Sequence, residues 1–414
     1  MKKLLPFIFF ALSFSLCAQP VSLRDSVYDW HWSDIQQNWA YFEKKIFTYD
    51  SKGNELSEAE NFWTGSAWHQ GLSYHSTYNA ANDKINYTTL GWRDSVIGNL
   101  SRLLYAYDAD QNPIDVISQS GADTGWINSG RSLKTFDANN NNTSWIVQNW
   151  YPGQNAWVHA WQHITAFDVH DNRIMEASLQ WNGASWDSSA RYYYTYNTGN
   201  KITSGLSQLW YQGKWTNDKL GNYVYDNNLN LLINSFQIWQ DTVWGNAARS
   251  VSAYDQNNNR TSHITQSWDS VQWSNNSRWL FYYDANNDKV QEIYQQWYAG
   301  WTNRWQVFYA YDENHSKVQQ TVQQWESGMA ESGAWVNWYL NTISYDKNNN
   351  WLCYLAQNWE SNTWVNGDSL HYYYSYPLNS SDDIFISSGL SIFPNPSRGV
   401  FTVTAPNLQE GKIA

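Results

Sequence analysis

The chain has 414 residues, including 29 tryptophans and 30 tyrosines, with a formal net charge of −12 and 15% charged residues. An acidic chain without a basic cluster is poorly suited to nucleic acid or to an anionic membrane surface. Beyond the N-terminal leader, no stretch is long and apolar enough for a membrane helix.

Residues 1–18 carry Lys2 and Lys3, the apolar run Leu4 to Leu16, and then Cys17-Ala18. This is the pattern of a secretory signal peptide cleaved after Ala18. Cys17 raises the alternative of a lipoprotein, but Leu16 stands where a small residue is wanted. Removal of Lys2 and Lys3 takes the net charge from −12 to −14. Cys353 is then the one remaining cysteine, so no disulfide framework is available. It reads as a small buried apolar residue rather than a reactive thiol.

From residue 19 to 376 the chain is one array. A tyrosine or phenylalanine opens a turn at Tyr49, Tyr78, Tyr107, Phe136, Phe167, Tyr196, Tyr225, Tyr254, Tyr283, Tyr311, Tyr345 and Tyr374, mostly at intervals of 29 residues. Ten residues before each sits a tryptophan, as in Trp186, Trp215, Trp244 and Trp273, with Ile97 the exception. A second tryptophan normally lies five residues earlier, as in Trp181, Trp210, Trp239 and Trp268. Periodicity of this kind marks a repeat architecture. The departures from 29 all fall between the paired tryptophans, as an exposed hairpin tip allows.

Residues 201–227 show the unit most clearly. Two strands are predicted, Ile202 to Tyr211 and Lys214 to Tyr225, around a turn at Gln212-Gly213. Simple alternation places Gln208 and Trp210 on one face, with Trp215, Asn217, Tyr223 and Tyr225 on the same face of the return strand. That register sets Gln208 opposite Asn217, Gln237 opposite Asn246, Gln266 opposite Asn275 and Gln357 opposite Asn366. Arg102, Arg131, Arg191, Arg249 and Arg278 precede the tyrosine by five and fall on the opposite face. Residues 21–49 read as an atypical capping unit, with Asp34 at the first tryptophan position.

The predicted fold is all-β: about twelve 29-residue antiparallel hairpins curved into a spiral sheet or solenoid. Closure into a six-bladed propeller is the alternative. Residues 377–388 form a polar linker. Residues 389–414 begin a different domain, with two short strands around a Pro-Asn-Pro turn.

Arg102-Leu-Leu-Tyr-Ala-Tyr-Asp108 and Arg278-Trp-Leu-Phe-Tyr-Tyr-Asp284 resemble the R-x-x-Y-x-Y-D core of YD repeats in Rhs-type proteins and toxin shells. The resemblance covers about 350 residues and implies antiparallel hairpins coiling into a curved sheet. Leu390-Ser-Ile-Phe-Pro-Asn-Pro-Ser-Arg-Gly-Val-Phe401 is similar to the start of the type IX secretion C-terminal sorting domain of Bacteroidetes. Such domains usually run longer than the residues that follow, so the segment reads as an incomplete one. This resemblance implies the type IX machinery as a partner, and export with release or anchoring at the outer cell surface.

Four sets of residues are candidates for chemistry. The Asp-x-Asn runs headed by Asp137, Asp255 and Asp284 offer oxygen ligands at alternate positions, as calcium loops do. They lack the glycine and the closing glutamate, and the competing reading is turn chemistry. His159, His163 and His170 share one unit, with His159 and His163 on one strand face, the geometry of a zinc or copper site. Glu55, Glu58 and Glu60 are the densest carboxylates and read as a solvated face rather than a glycosidase pair. The tryptophan pairs Trp181/Trp186, Trp210/Trp215, Trp239/Trp244 and Trp268/Trp273, with their amides, are the candidate ligand-binding residues. Flat rings stack on pyranoses and amides bond hydroxyls. The alternative is that this face is the core. The expected function is a non-catalytic, adhesin-like secreted or surface protein that binds an extracellular polysaccharide or protein without a cofactor. A carbohydrate-active enzyme and a purely structural surface protein are the alternatives.

Overall fold

The computed structural model describes residues 22–93, 96–122, 125–326 and 333–375, and two short strands near the C-terminus. The expected signal peptide, Cys17 and the linker 377–388 lie outside the described residues. The same holds for most of the sorting-domain segment, of which Ser391–Pro394 and Phe401–Thr404 pair antiparallel. Contacts divide the chain into a unit of residues 24–374 and a second unit of the two terminal segments.

Residues 24–374 are a single sheet of twenty-four antiparallel strands, from β1 (Leu23–Ser33) to β24 (Thr363–Ser375). The seventh hairpin falls where alternation and turn residues place it, with one strand at Ile202–Tyr211 and its return at Lys214–Tyr225. Gln212 and Gly213 both take positive φ at its tip, as a tight two-residue hairpin turn requires. Trp210 lies opposite Trp215 and Gln208 opposite Asn217. The longer fifth tip is absorbed by a 3-10 turn at Pro152–Gln154.

The sheet is not open. β1 pairs with β24, so the array closes on itself as a β-barrel. This corrects both the spiral and the propeller, since consecutive strands are hydrogen-bonded all round and no break separates one blade from the next. The first hairpin is therefore no cap, being joined on both sides. The register explains why the ends meet. Crossing the strands at right angles leads from Leu206 to Leu220 and on to Gln237. The counterpart of Leu206 one unit later is Ser235, so each hairpin is staggered by two residues. Twelve such steps give a total stagger about equal to the number of strands, the condition that tilts barrel strands by about 36°. A side-chain contact at the closing junction is consistent with the same stagger. Ile238 pairs with Lys219, and at their counterparts His31 Nε2 lies 3.4 Å from Asp368 Oδ1.

A barrel of this many strands is roughly 45 Å across for a circular section, too wide for side chains from opposite walls to fill. Burial agrees. Among the described residues the buried apolar side chains are Phe47, Phe281, Val307, Val322 and Ile343, too few for a conventional core. Cohesion must come from neighbour-to-neighbour contacts within the wall.

At one rim those contacts are the Asx turns. Asp226 Oδ1 accepts the backbone N–H groups of Asn228 (2.9 Å) and Asn230 (2.8 Å). Asn230 Nδ2 donates to Asp226 Oδ2 (2.9 Å) and also to Asn258 Oδ1 (2.8 Å) in the next turn. The same bridge joins Asn54 to Asn82, Asn112 to Asn140, Asn172 to Asn200 and Asn259 to Asn287. The fourth turn residue has positive φ, as at Asn140, Asn258 and Asn287, which asparagine tolerates. The signature tyrosine clamps the open end of its own hairpin. Tyr49, Tyr107, Tyr196 and Tyr345 donate their hydroxyls to the carbonyls of Arg24, Lys84, Arg173 and Lys317 at 2.7–3.0 Å.

Hydrogen bonds from Asn141 hold the Asp137 carboxyl below its ordinary value of 3.8, and those from Asn230 do the same for Asp226. A carboxylate with a depressed folded pKa contributes stability that is present above its unfolded value and lost as pH falls through the folded one. The melting temperature should therefore hold level from neutral pH down to about 4 and drop steeply below that. A thermal scan by circular dichroism between pH 7 and 2 checks this; a level curve down to pH 2 would show the turns to be unimportant.

Candidate functional site

The geometry of the wall is set by one extra residue in the return strand of every hairpin. In the seventh, Gln208 faces Asn217 but Ser207 faces Lys219, which leaves Asp218 as the bulged residue. The same shift recurs in the other hairpins, for example between Phe236 and Gln237 and between Thr265 and Gln266. A bulge moves all later residues of that strand to the other face. Trp210, Trp215, Gln208 and Asn217 thus share a tryptophan face, while Tyr223 and Tyr225 lie on the opposite, tyrosine face. This corrects the expectation that all six share one side.

The bulge also brings the arginines onto the tryptophan face, the reverse of the expected segregation. Arg191 sits directly opposite Gln208 of the next hairpin. Its Nε donates to Gln208 Oε1 (2.6 Å), Gln208 Nε2 donates to Asn217 Oδ1 (2.7 Å), and the guanidinium lies 4.2 Å over the Trp215 ring. Arg249 repeats the set with Gln266, Asn275 and Trp273. Arg102 does so with Gln119, Asn128 and Trp126, and Arg278 with Gln295, Asn303 and Trp301. A cation stacked on an indole contributes roughly 0.5–2 kcal/mol, and the planar guanidinium suits stacking and amide bonding together.

The eight predicted binding tryptophans are brought together in pairs as expected. Trp181/Trp186, Trp210/Trp215, Trp239/Trp244 and Trp268/Trp273 are edge-to-face, with centroids 5.0–5.2 Å apart. Such pairs contribute about 0.5–1.5 kcal/mol beyond area burial. They are neither a sealed core nor an open platform: most are half-buried, and Trp210 is 40% exposed. Trp215 and Trp273 each carry an arginine on one ring face. Trp244 does not, because Leu220 stands at the arginine position opposite Gln237.

The other candidates separate. His159 lies opposite Gln148 on the tryptophan face, but the bulge after it puts His163, opposite Trp145, on the tyrosine face. That overturns the shared strand face proposed for the two. His159 packs instead between Trp181 and Trp186, 5.1 Å from each. Among the described residues no group of three His, Cys, Asp or Glu side chains is placed to hold a metal ion. Both carboxylate oxygens of Asp137 and Asp255 accept hydrogen bonds within their own turns. Asp284 accepts the N–H groups of Asn286 and Asp288, so a cation would have to compete with protein donors.

Glu58 and Glu60 are not simply solvated. They converge with Glu43 on Lys45, whose Nζ lies 3.3, 2.7 and 3.9 Å from them. Glu176 and Glu292 take the position of Glu58 in the sixth and tenth hairpins, each beside a cation. Burial, followed by the charge of Glu176, pushes the Tyr194 hydroxyl up to about 12. A cleft of about 500 Å³ opens at the turn rim between Asp168, His170, Tyr194, Tyr196 and Asn200, away from the tryptophan pairs. Cys353 is half-buried and faces His371 across the strands, its Sγ 4.0 Å from Nε2. The sequence separation of 18 hides that pairing unless the bulge is placed first.

No family model matches the chain. No curated protein matches it either. Solved structures that it resembles include TcdB2-TccC3, at 9% identity and a TM-score of 0.30, covering 82% of this chain and 24% of that one. TcdB2-TccC3-TEV overlaps 86% of this chain and 22% of its own, at 11% identity and a TM-score of 0.25. A porin-like protein from Bacteroides uniformis overlaps 85% and 98%, at 8% identity and a TM-score of 0.19. The chain spans about a quarter of the TcdB2-TccC3 chains. Scores this low carry no functional meaning.

Trp215→Ala removes an aromatic partner and the ring beneath Arg191, so unfolding free energy should fall by roughly 2–4 kcal/mol. Tyr211→Ala, at a tip residue 62% exposed, should change it by less than about 0.5 kcal/mol. Denaturant melts of both variants check the ranking; equal losses would mean the tryptophan face does not hold the wall together.

Proposed function

We propose that the protein is a non-catalytic binding protein of the cell exterior whose ligand is an extracellular polysaccharide. One observation carries this reading: half-buried indole pairs flanked by glutamine and asparagine amides recur hairpin after hairpin on one face of the wall. Rings stack on the apolar faces of pyranoses, and amides can both donate to and accept from hydroxyls. Many equivalent sites on one chain let a polymer gain avidity from individually modest contacts. An acidic protein favours neutral over anionic polymers.

No described helix is long and apolar enough to cross a membrane. A spanning barrel needs one face with an uninterrupted apolar band. Here Arg191, Arg249 and Arg278 stand mid-wall on one face, and Glu176 and Glu292 on the other. We therefore read the barrel as water-borne, in keeping with export through a secretory signal and the type IX route. No resident cation is assigned to the Asx turns, and chelation should leave the melting temperature unchanged.

The full chain should be retained on neutral plant or microbial polysaccharides in affinity electrophoresis, and less so on polygalacturonate. Trp239→Ala/Trp244→Ala should weaken retention at least threefold. Passage of the wild-type chain through every neutral polymer tested would dismiss the reading, and release of reducing sugar would replace it with an enzyme.

A further inference from the structure

The fifth hairpin, Asn142–Tyr151 with Ala156–Phe167, departs from the pattern at several linked points. Arg131 occupies the same register position as Arg191, opposite Gln148. It does not bond that glutamine. Its Nε and Nη2 donate instead to Asp115 Oδ1 (2.9 Å) and Oδ2 (2.6 Å) on the preceding strand. The position of Asp115 carries Ser204 and Ser262 in the seventh and ninth hairpins, which offer no anion.

Three consequences are visible. Gln148, 8% exposed, keeps a buried Oε1 with no hydrogen-bond partner. Its Nε2 turns to His159 Nδ1, 3.4 Å away. The ring of Trp157 pairs edge-to-face with Trp150 at 4.9 Å, but Arg131 does not cover it as Arg191, Arg249 and Arg278 cover their indoles. The tip beside this pair is also the one lengthened by a 3-10 turn, and it presents Tyr151 at 48% exposure.

We infer that the fifth hairpin is a specific pyranose subsite, with Trp157 as its stacking floor and Asp115 as a positioning residue that holds Arg131 away from that ring. The site rests on the polysaccharide reading and names the place where a sugar ring is taken. Neutral sugars fit best, because Asp115 and Arg131 cancel one another and leave no net charge beside the indole. His159, two residues from Trp157 on the same face, supplies a polar edge to the pair. Over Trp126, Trp215, Trp273 and Trp301 the chain's own guanidinium takes the place of the ligand. Here one ion pair keeps it off.

The test uses the full chain labelled with 5-fluorotryptophan, and Asp115→Ser to restore the side chain found in other hairpins. The 19F resonance of Trp157 is assigned by its loss in Trp157→Phe, a substitution that keeps an aromatic in the wall. In Asp115→Ser, Arg131 should swing to Gln148 and cover Trp157. Relaxation enhancement of that resonance by a soluble gadolinium chelate should then fall at least twofold. Cellohexaose, xylohexaose and chitohexaose serve as probes in calorimetric titration. The wild type should bind at least one, and both Asp115→Ser and Trp157→Phe should weaken it at least tenfold. Unchanged accessibility of Trp157 in Asp115→Ser overturns the positioning role. Binding by the wild type that survives both substitutions overturns the subsite and leaves the wider reading standing. Failure of the wild type to bind any probe overturns the ligand assignment whatever the 19F spectra report.

Discussion

The wall depends on the single bulged residue in each return strand. With strict alternation the arginine, five residues before the tyrosine, would lie on the side away from the indoles. The bulge reverses the phase of the strand half-way along, so one face carries tryptophan pair, amide pair and arginine in succession. Because the arginine reaches a glutamine of the next hairpin, the contact that satisfies it also couples neighbouring units. A bulge further raises local twist, which a closing sheet needs. Side-chain order and curvature thus have a common origin.

Closure removes a problem that an open array would keep. A strand edge is a row of unpaired backbone groups and a template for aggregation, and solenoids need dedicated caps to blunt it. Here β1 and β24 pair with each other. The closing contacts differ in kind from those elsewhere: Tyr28 meets Tyr373, Trp30 meets His371, and His31 faces Asp368. No arginine-to-glutamine clamp spans this junction, since Ser369 and Trp30 occupy the two positions. Where the ends join, aromatic packing and the His31–Asp368 contact stand in place of that clamp.

Much of this was legible in the sequence, and the remainder was hidden for identifiable reasons. Strand bounds, hairpin count, indole pairs and Gln–Asn pairs follow from period and alternation, because each is local to one hairpin. The face of Tyr223, the side of Arg191 and the separation of His159 from His163 were misread, because a two-residue period has no term for an inserted residue. The bulge leaves little signature: its residue is Asp218 in one unit, Ala247 in another and Asn276 in a third. Closure was not legible either. It follows from a two-residue stagger summed over twelve hairpins, and no single unit shows that sum. The asparagine bridges between turns could have been suspected, since Asn54, Asn112, Asn172, Asn230 and Asn259 recur at a fixed place beyond what turn geometry alone requires.

A wall made of nearest-neighbour contacts has a consequence for how ligand sites can arise in it. In a filled core, exposing an indole costs packing on many sides. Here an indole such as Trp215 touches chiefly its pair mate and one cation, so redirecting a single arginine removes the cation from a ring while the rest of the hairpin keeps its register. The fifth hairpin shows such a change: Trp150 and Trp157 remain paired, the backbone ladder is intact, and the amide oxygen of Gln148 is left buried without a partner. An unpaired buried acceptor costs on the order of 1–3 kcal/mol, which the two-pronged Arg131–Asp115 bond offsets in part. Repetition supplies a stable frame, and departures from it are affordable one unit at a time. In such a molecule the irregular hairpin, rather than the regular array, is where specificity for a ligand is expected to reside.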